Sequence, residues 1–200
     1  RQMCIRDSII TTGVSLLQNY CNTQNPRLSD LGLAVQQHKN VEKFLNEDPE
    51  KASAELNSLH KRTNFLDASS DQPLAVTLIF TETNEGRCVS SLLENFLNSR
   101  GVEVNKIPVK GFDKPALDVT PEFAQAEASD ALIKLRDGVC EHIRKLRTQP
   151  IKRDIELNCT GGFKAEVAIL YAIGIKMEVP VYYLHETFRV CITLPDASKP

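Results

Sequence analysis

The sequence has no C-x-x-C pair. Its six cysteines, Cys4, Cys21, Cys88, Cys140, Cys159 and Cys191, are scattered at spacings that suit neither a zinc knuckle nor a disulfide framework. Reduced thiols and a cytoplasmic setting are therefore expected. The four histidines, His38, His60, His142 and His185, lack ligand spacing, so no metal is expected either. No apolar run approaches the length of a membrane span. No charged segment followed by an apolar one reads as a signal peptide, and no membrane partner is expected. Charge of one sign is missing too: 24 Lys+Arg stand against 26 Asp+Glu, for a net charge of −2. That balance offers no overall basic field for duplex DNA, although a small anion in a local basic pocket is compatible with it.

Several nucleotide signatures are also absent. There is no G-x-G-x-x-G, which disfavours a dinucleotide cofactor, and no G-x-x-x-x-G-K-[ST], which excludes a P-loop ATPase. No G-x-S-x-G elbow marks an α/β hydrolase. No cofactor is expected.

What is present is ordinary globular material. Hydrophobic residues make up 42% and charged residues 25% of 200 positions, enough for one sizeable core. Residues 74–80 form a continuous apolar run with β-branched members, as a strand covered on both faces requires. A helix with Val89, Leu92, Leu93, Phe96 and Leu97 on one stripe follows, ended by Gly101. Residues 102–109 read as the next strand. Thr120-Pro121-Glu122 is a helix start, with an N-cap hydroxyl, proline at the first helical position and then an acid. That helix is expected to run to Arg147. Residues 151–159, 181–184 and 190–194 read as further strands. The helix over 165–177 is apolar on nearly all sides and must be covered on more than one face.

The alternation of strands and helices predicts an α/β fold, a Rossmann-like, mainly parallel sheet flanked by helices. The chain reads as a single domain over 1–200. Residues 22–72 are polar and are expected to form a peripheral helical insertion of two helices, at 29–46 and 48–62. The first strand is expected to end over residues 8–12. Residues 1–7 are polar where a buried strand should begin, and are expected to be a fragment edge or a foreign lead-in.

One stretch carries chemistry. Asn158-Cys159-Thr160-Gly161-Gly162-Phe163-Lys164-Ala165-Glu166 lies between a strand and a helix. Paired glycines let backbone amides crowd round a ligand, the helix start brings unpaired N–H groups, and Lys164 adds a full positive charge. Together they read as an anion cradle. A plain tight turn with a solvated lysine fits the same residues. In open parallel sheets, ligands bind beyond the carboxyl ends of the strands where strand order reverses. The loop after the first strand, Thr11-Thr12-Gly13-Val14-Ser15, is expected to face the loop Thr160–Lys164 there. Ser15 alternatively serves only as an N-cap.

Ile9-Ile10-Thr11-Thr12-Gly13-Val14-Ser15-Leu16-Leu17 resembles the opening strand and loop of CRISPR-associated Rossmann-fold (CARF) proteins. Residues 157–166 resemble their second motif, residues 179–186 the strand that follows it, and residues 81–86 their second-strand loop. The resemblance covers residues 9–195 and is best to the CRISPR ring-nuclease branch, including the sensor halves of Csm6-type effectors. The first loop departs from the family pattern, reading Thr-Gly-Val-Ser where the family often places Gly-Thr-Ser, which leaves open which hydroxyl faces the ligand.

The resemblance implies a homodimer that binds a cyclic oligoadenylate on its two-fold axis, cyclic tetra-adenylate first and cyclic hexa-adenylate as the main alternative. It implies antiviral signalling in type III CRISPR systems, and in some members metal-independent cleavage of the ring by attack of a ribose 2′-hydroxyl. Lys164 and Ser15 are then the expected catalytic residues, Lys164 stabilising phosphoryl charge and Ser15 or Thr12 orienting the 2′-hydroxyl or a phosphate oxygen. Thr11, Thr12, Gly13, Thr160, Gly161, Gly162 and Phe163 are the expected ligand-binding residues. Alternatives are the sensor domain of a longer effector without catalysis of its own, and a generic Rossmann-like nucleotide-binding domain. Arg136–His142 matches the Arg-x4–6-His spacing of HEPN nucleases, but it falls on a predicted solvated helix face and reads as chance.

Overall fold

The computed structural model describes residues 4–28, 30–67, 72–110, 120–185 and 187–197. The elements run β1 (Cys4–Thr11), α1 (Ser15–Thr23), α2 (Leu31–Gln36), α3 (His38–Glu47), α4 (Pro49–Ala52), α5 (Ala54–Thr63), β2 (Leu74–Thr81) and α6 (Asn84–Asn98). They continue with β3 (Glu103–Val109), α7 (Pro121–Arg147), β4 (Lys152–Asn158), α8 (Lys164–Met177), β5 (Val181–His185) and β6 (Val190–Thr193). Residues 1–3 of the expected lead-in, position 29 at the expected helix start and 68–71 of the loop before β2 lie outside the described residues.

The sheet order is β3-β2-β1-β4-β5-β6, with β6 antiparallel to β5 and the other pairs parallel. This is the expected α/β, Rossmann-like arrangement, with the order reversing between β1 and β4. Ile10 stands opposite Asn158 in the β1–β4 register, so the loops after these strands leave the sheet side by side.

Alternation along the strands feeds two cores. Ile10, Val76 and Leu78 point towards α1 and α6, while Ile9, Ile79 and Leu157 point towards α7 and α8. α7 starts as predicted, with the Thr120 hydroxyl accepting the Phe123 N–H at 3.4 Å, and carries Arg144, Lys145 and Arg147 in its last turn, where cations suit the helix dipole.

Two expectations for the first third of the chain differ from the fold. The segment 22–72 is not peripheral: Ala34, Val41, Leu45, Ala52, Leu56 and Leu59 are fully buried and belong to the core on the α1–α6 face. Its apolar stripe looked thin because it is divided over short helices. Asp48 and Ser53 each start a new one, accepting the N–H of Lys51 at 3.2 Å and of Leu56 at 3.3 Å. β1 also begins at Cys4, four residues ahead of Ser8. The polar Asp7 is tolerated at the sheet's centre because Arg153 reaches both its oxygens, at 3.0 and 3.3 Å. Burial nevertheless pushes the Asp7 carboxyl up to about 6, against the lowering pull of Arg153.

A third difference concerns α8, which was expected to be covered on more than one face and is covered on one, by Leu170, Ile173 and Gly174 against the sheet and α7. Ala165, Ala168 and Ala172 are exposed, and Ile169 and Ile175 are partly so. Among the described residues, no helix is long and apolar enough to cross a membrane.

Candidate functional site at the carboxyl end of the sheet

The loops after β1 and β4 touch. Thr11 is buried, and its hydroxyl donates to the Gly161 carbonyl at 2.6 Å. A Cβ on Gly13 would stand 3.1 Å from the Gly162 nitrogen. Thr12 turns the other way: its N–H and its hydroxyl both donate to the Ile79 carbonyl at 2.8 Å. Its hydroxyl therefore anchors the loop to β2.

A buried glutamate from α5 sits beneath both loops. Glu55 is 1% exposed. Its Oε1 accepts the Gly13 N–H at 2.8 Å, and its Oε2 accepts the hydroxyls of Ser15 at 2.9 Å and Ser53 at 2.7 Å. Ser15 opens α1, but its side chain does not cap that helix. It binds Glu55 instead, and accepts the Ala54 N–H at 3.3 Å.

The glycine pair has a different physical reason from the one the sequence suggested. A Cβ on Gly161 would fall 2.5 Å from Glu55 Oε1 and 2.7 Å from the Thr11 carbonyl oxygen. Gly162 has φ +88° and leaves no room either, since a Cβ would lie 2.7 Å from Glu166 Oε2. The glycines thus admit the neighbouring loop and two carboxylates. Glu166 is 1% exposed and accepts the Phe163 N–H at 2.8 Å, reaching back three residues to the N-cap of α8. Burial raises its carboxyl above the ordinary range, and the Phe163 N–H pulls it back. The amides of Gly13 and Phe163, two donors of the expected cradle, are therefore held by carboxylates of the chain itself.

What faces outward is the start of α8. Lys164 is its first residue and is exposed, and the first-turn N–H groups have no carbonyl partners within the helix. Phe163 is 54% exposed beside it. Thr160 is set by Asn158, whose Oδ1 accepts the Thr160 N–H at 3.0 Å, and its own hydroxyl accepts the Leu184 N–H at 2.9 Å. Thr160 lines a cavity of about 660 Å³ with Asn19, Lys51, Asn57, Lys61 and Arg189. In that cavity Lys51 pairs with Asp48 at 2.7 Å and Lys61 with Glu50 at 2.8 Å. Lys164 does not line it.

α5 is held to the sheet by polar contacts. Arg62 grips Glu156 of β4 through Nε at 3.1 and 3.2 Å, lies 5.0 Å from the Tyr182 ring centroid, and also contacts Glu156 through Nη2. The Tyr182 hydroxyl meets Ser8 at 3.1 Å, and Ser58 accepts from Asn158 Nδ2 at 2.7 Å. Burial pushes the Tyr182 phenol up.

Glu55, Ser53, Ser58 and Arg189 were missed in the sequence. Glu55 and Ser58 find partners on other elements, in Gly13, Ser15 and Asn158, whereas Ser53 caps its own helix, and that local N-cap signal was not read. Glu166 stood inside the motif, and its three-residue spacing from Phe163 was the available signal. Arg136 pairs with Asp137 at 2.8 Å, and His142 Nε2 meets the Thr77 hydroxyl at 2.8 Å. Among the described residues, no cluster of three or more His, Cys, Asp or Glu is arranged to hold a metal ion.

Residues 50–197 match the model of a CRISPR-associated protein family (Cas_APE2256). Among curated proteins none matches this chain in sequence. Protein VC1899 from Vibrio cholerae shares the fold, with 9% identity and a TM-score of 0.53 over 96% of this chain and 34% of that one. Can2 from Sulfobacillus thermosulfidooxidans, solved in complex with cyclic tetra-adenylate, aligns with 13% identity and a TM-score of 0.49 over 94% of this chain and 34% of its own. Enterococcus italicus Csm6, bound to cyclic hexa-2′-fluoro-hexa-dAMP, aligns with 10% identity and a TM-score of 0.49 over 99% and 44%. The chain thus spans a third to under half the length of these proteins.

Proposed function

This chain belongs to the CRISPR-associated Cas_APE2256 family, and on that premise we propose that it binds a cyclic oligoadenylate in the cytoplasm, as part of type III CRISPR antiviral signalling. Cyclic tetra-adenylate is the first choice of ring. The observation that carries this reading is the contact of Thr11 with Gly161 at the switch between β1 and β4, which joins the two motif loops into one ligand-facing surface. Lys164, exposed at the start of α8, is the cation we assign to a phosphodiester there.

A ring with two-fold symmetry suits an isologous homodimer. The outward face of α8, with Ala165, Ala168, Ala172 and Ile169, is an apolar surface that a second copy would cover. Within such a dimer we read the site as a ring nuclease that acts without a metal. A ribose 2′-hydroxyl attacks the adjacent phosphorus in line, the 5′-oxygen leaves, and a 2′,3′-cyclic phosphate results. Lys164 stabilises charge on the phosphoryl oxygens, and positioning does the rest. The Thr12 hydroxyl is buried and donates to Ile79, whereas Ser15 is half-buried, so Ser15 is the hydroxyl we assign to the ligand.

The test is incubation of the protein with labelled cyclic tetra- and hexa-adenylate in EDTA. Cleavage that disappears in Lys164→Ala supports the nuclease. Tight binding without cleavage makes the chain the sensor part of a longer effector. No binding of either ring overturns both.

A further inference from the structure

Glu55 decides which way the Ser15 hydroxyl can act. A carboxylate offers only acceptors, whereas a serine hydroxyl has one proton and two lone pairs. Ser15 gives its proton to Glu55 Oε2 at 2.9 Å. The Ala54 N–H, 3.3 Å from Ser15 Oγ, takes one lone pair. One lone pair remains, so Ser15 can receive a hydrogen bond from a ligand but has no proton to give. Phosphate oxygens of an oligoadenylate ring only accept, while its ribose 2′-hydroxyls donate.

We propose that Glu55 is a positioning residue that makes Ser15 an acceptor for a ribose 2′-hydroxyl of the bound ring, leaving the phosphates to Lys164. The inference rests on the ring-binding reading above. Glu55 itself, 1% exposed beneath the loops, does not reach the ligand. It acts through Ser15, and its contacts to Gly13 at 2.8 Å and Ser53 at 2.7 Å keep its two oxygens fixed. The arrangement lets the site distinguish a ribose ring from a deoxyribose one, because only the ribose ring supplies the proton that Ser15 lacks.

Glu55→Gln tests the polarity with little change of shape. The amide oxygen still accepts from Gly13, and the two amide hydrogens face Ser15 and Ser53. Ser15 would then spend both lone pairs inward, on the amide and on Ala54, and turn its proton outward. Dissociation constants are measured by calorimetry for cyclic tetra-adenylate and for its all-2′-deoxy counterpart, with unfolding midpoints in parallel. The wild type should prefer the ribose ring by about tenfold, the size of one good hydrogen bond. Glu55→Gln and Ser15→Ala should each lose that preference while remaining folded. A purely structural role for Glu55 would weaken both rings alike. Full preference retained in either variant overturns the inference. Should Glu55→Gln fail to fold, Ser15→Ala decides alone. A wild type that binds both rings equally overturns this inference only, and one that binds neither overturns it together with the reading it rests on.

Discussion

The loops after β1 and β4 are both held by a buried glutamate, but the two glutamates come from different places. Glu166 reaches back three residues within the start of its own helix. Glu55 arrives from 40 residues beyond Ser15, on α5. The first contact forms whenever α8 forms. The second exists only when α5 is docked, and so couples the helical segment 31–63 to the loops after β1 and β4. Glu166 also satisfies one amide, while Glu55 satisfies an amide and two hydroxyls and lies against Gly161. The more distant clamp is the one on which more of the site depends.

That difference can be broken experimentally. Glu55→Ala leaves the Gly13 N–H and the hydroxyls of Ser15 and Ser53 without their acceptor, and should cost about 3–5 kcal/mol in urea unfolding. A loss no larger than that in Glu166→Ala would erase the contrast. Gly161→Ala should cost about 1–3 kcal/mol, since its Cβ would press on Glu55 and on the Thr11 backbone. In the Glu55→Ala background that cost should shrink but persist, because the Thr11 carbonyl oxygen at 2.7 Å remains.

The smallest effect concerns pH. Burial holds the folded-state pKa of Glu166 above its unfolded value, so the folded protein binds the proton more tightly. The contribution of Glu166 to stability is therefore greatest below the ordinary carboxylate range and falls as pH rises through the raised value. Unfolding followed across that range should show a decline in the wild type that Glu166→Gln reduces and does not abolish, since the raised Asp7 carboxyl contributes in the same direction.

Much of the sheet was legible. The apolar run at 74–80 and the Thr120-Pro121-Glu122 start became β2 and α7 with nearly the predicted limits, because their signals are local. The first strand was harder. Asp7 looks unfit for a central strand until Arg153, 146 residues away, is placed beside it. The segment 22–72 was misjudged for a related reason. Its apolar residues are spread over short helices, and α5 also turns Glu55, Ser58 and Arg62 towards the loops and the sheet, where each has a polar partner that a search for a hydrophobic stripe does not count. Of the candidate site, the two loops and their adjacency followed from strand order. The separate bonding of the three hydroxyls did not, since Thr11, Thr12 and Ser15 are indistinguishable until their partners are known.

By itself, the sequence determined the alternation of strands and helices, the placing of two glycine-bearing loops at one end of the sheet, and the local clamp from Glu166 to Phe163. These depend on hydrophobic period, turn chemistry and contacts a few residues long. Only the tertiary structure decided that the glycines make room for buried carboxylates, that Thr12 faces β2, and that Glu55 holds Ser15. Those facts depend on hydrogen bonds between groups far apart in the chain, whose direction and pairing no local pattern encodes.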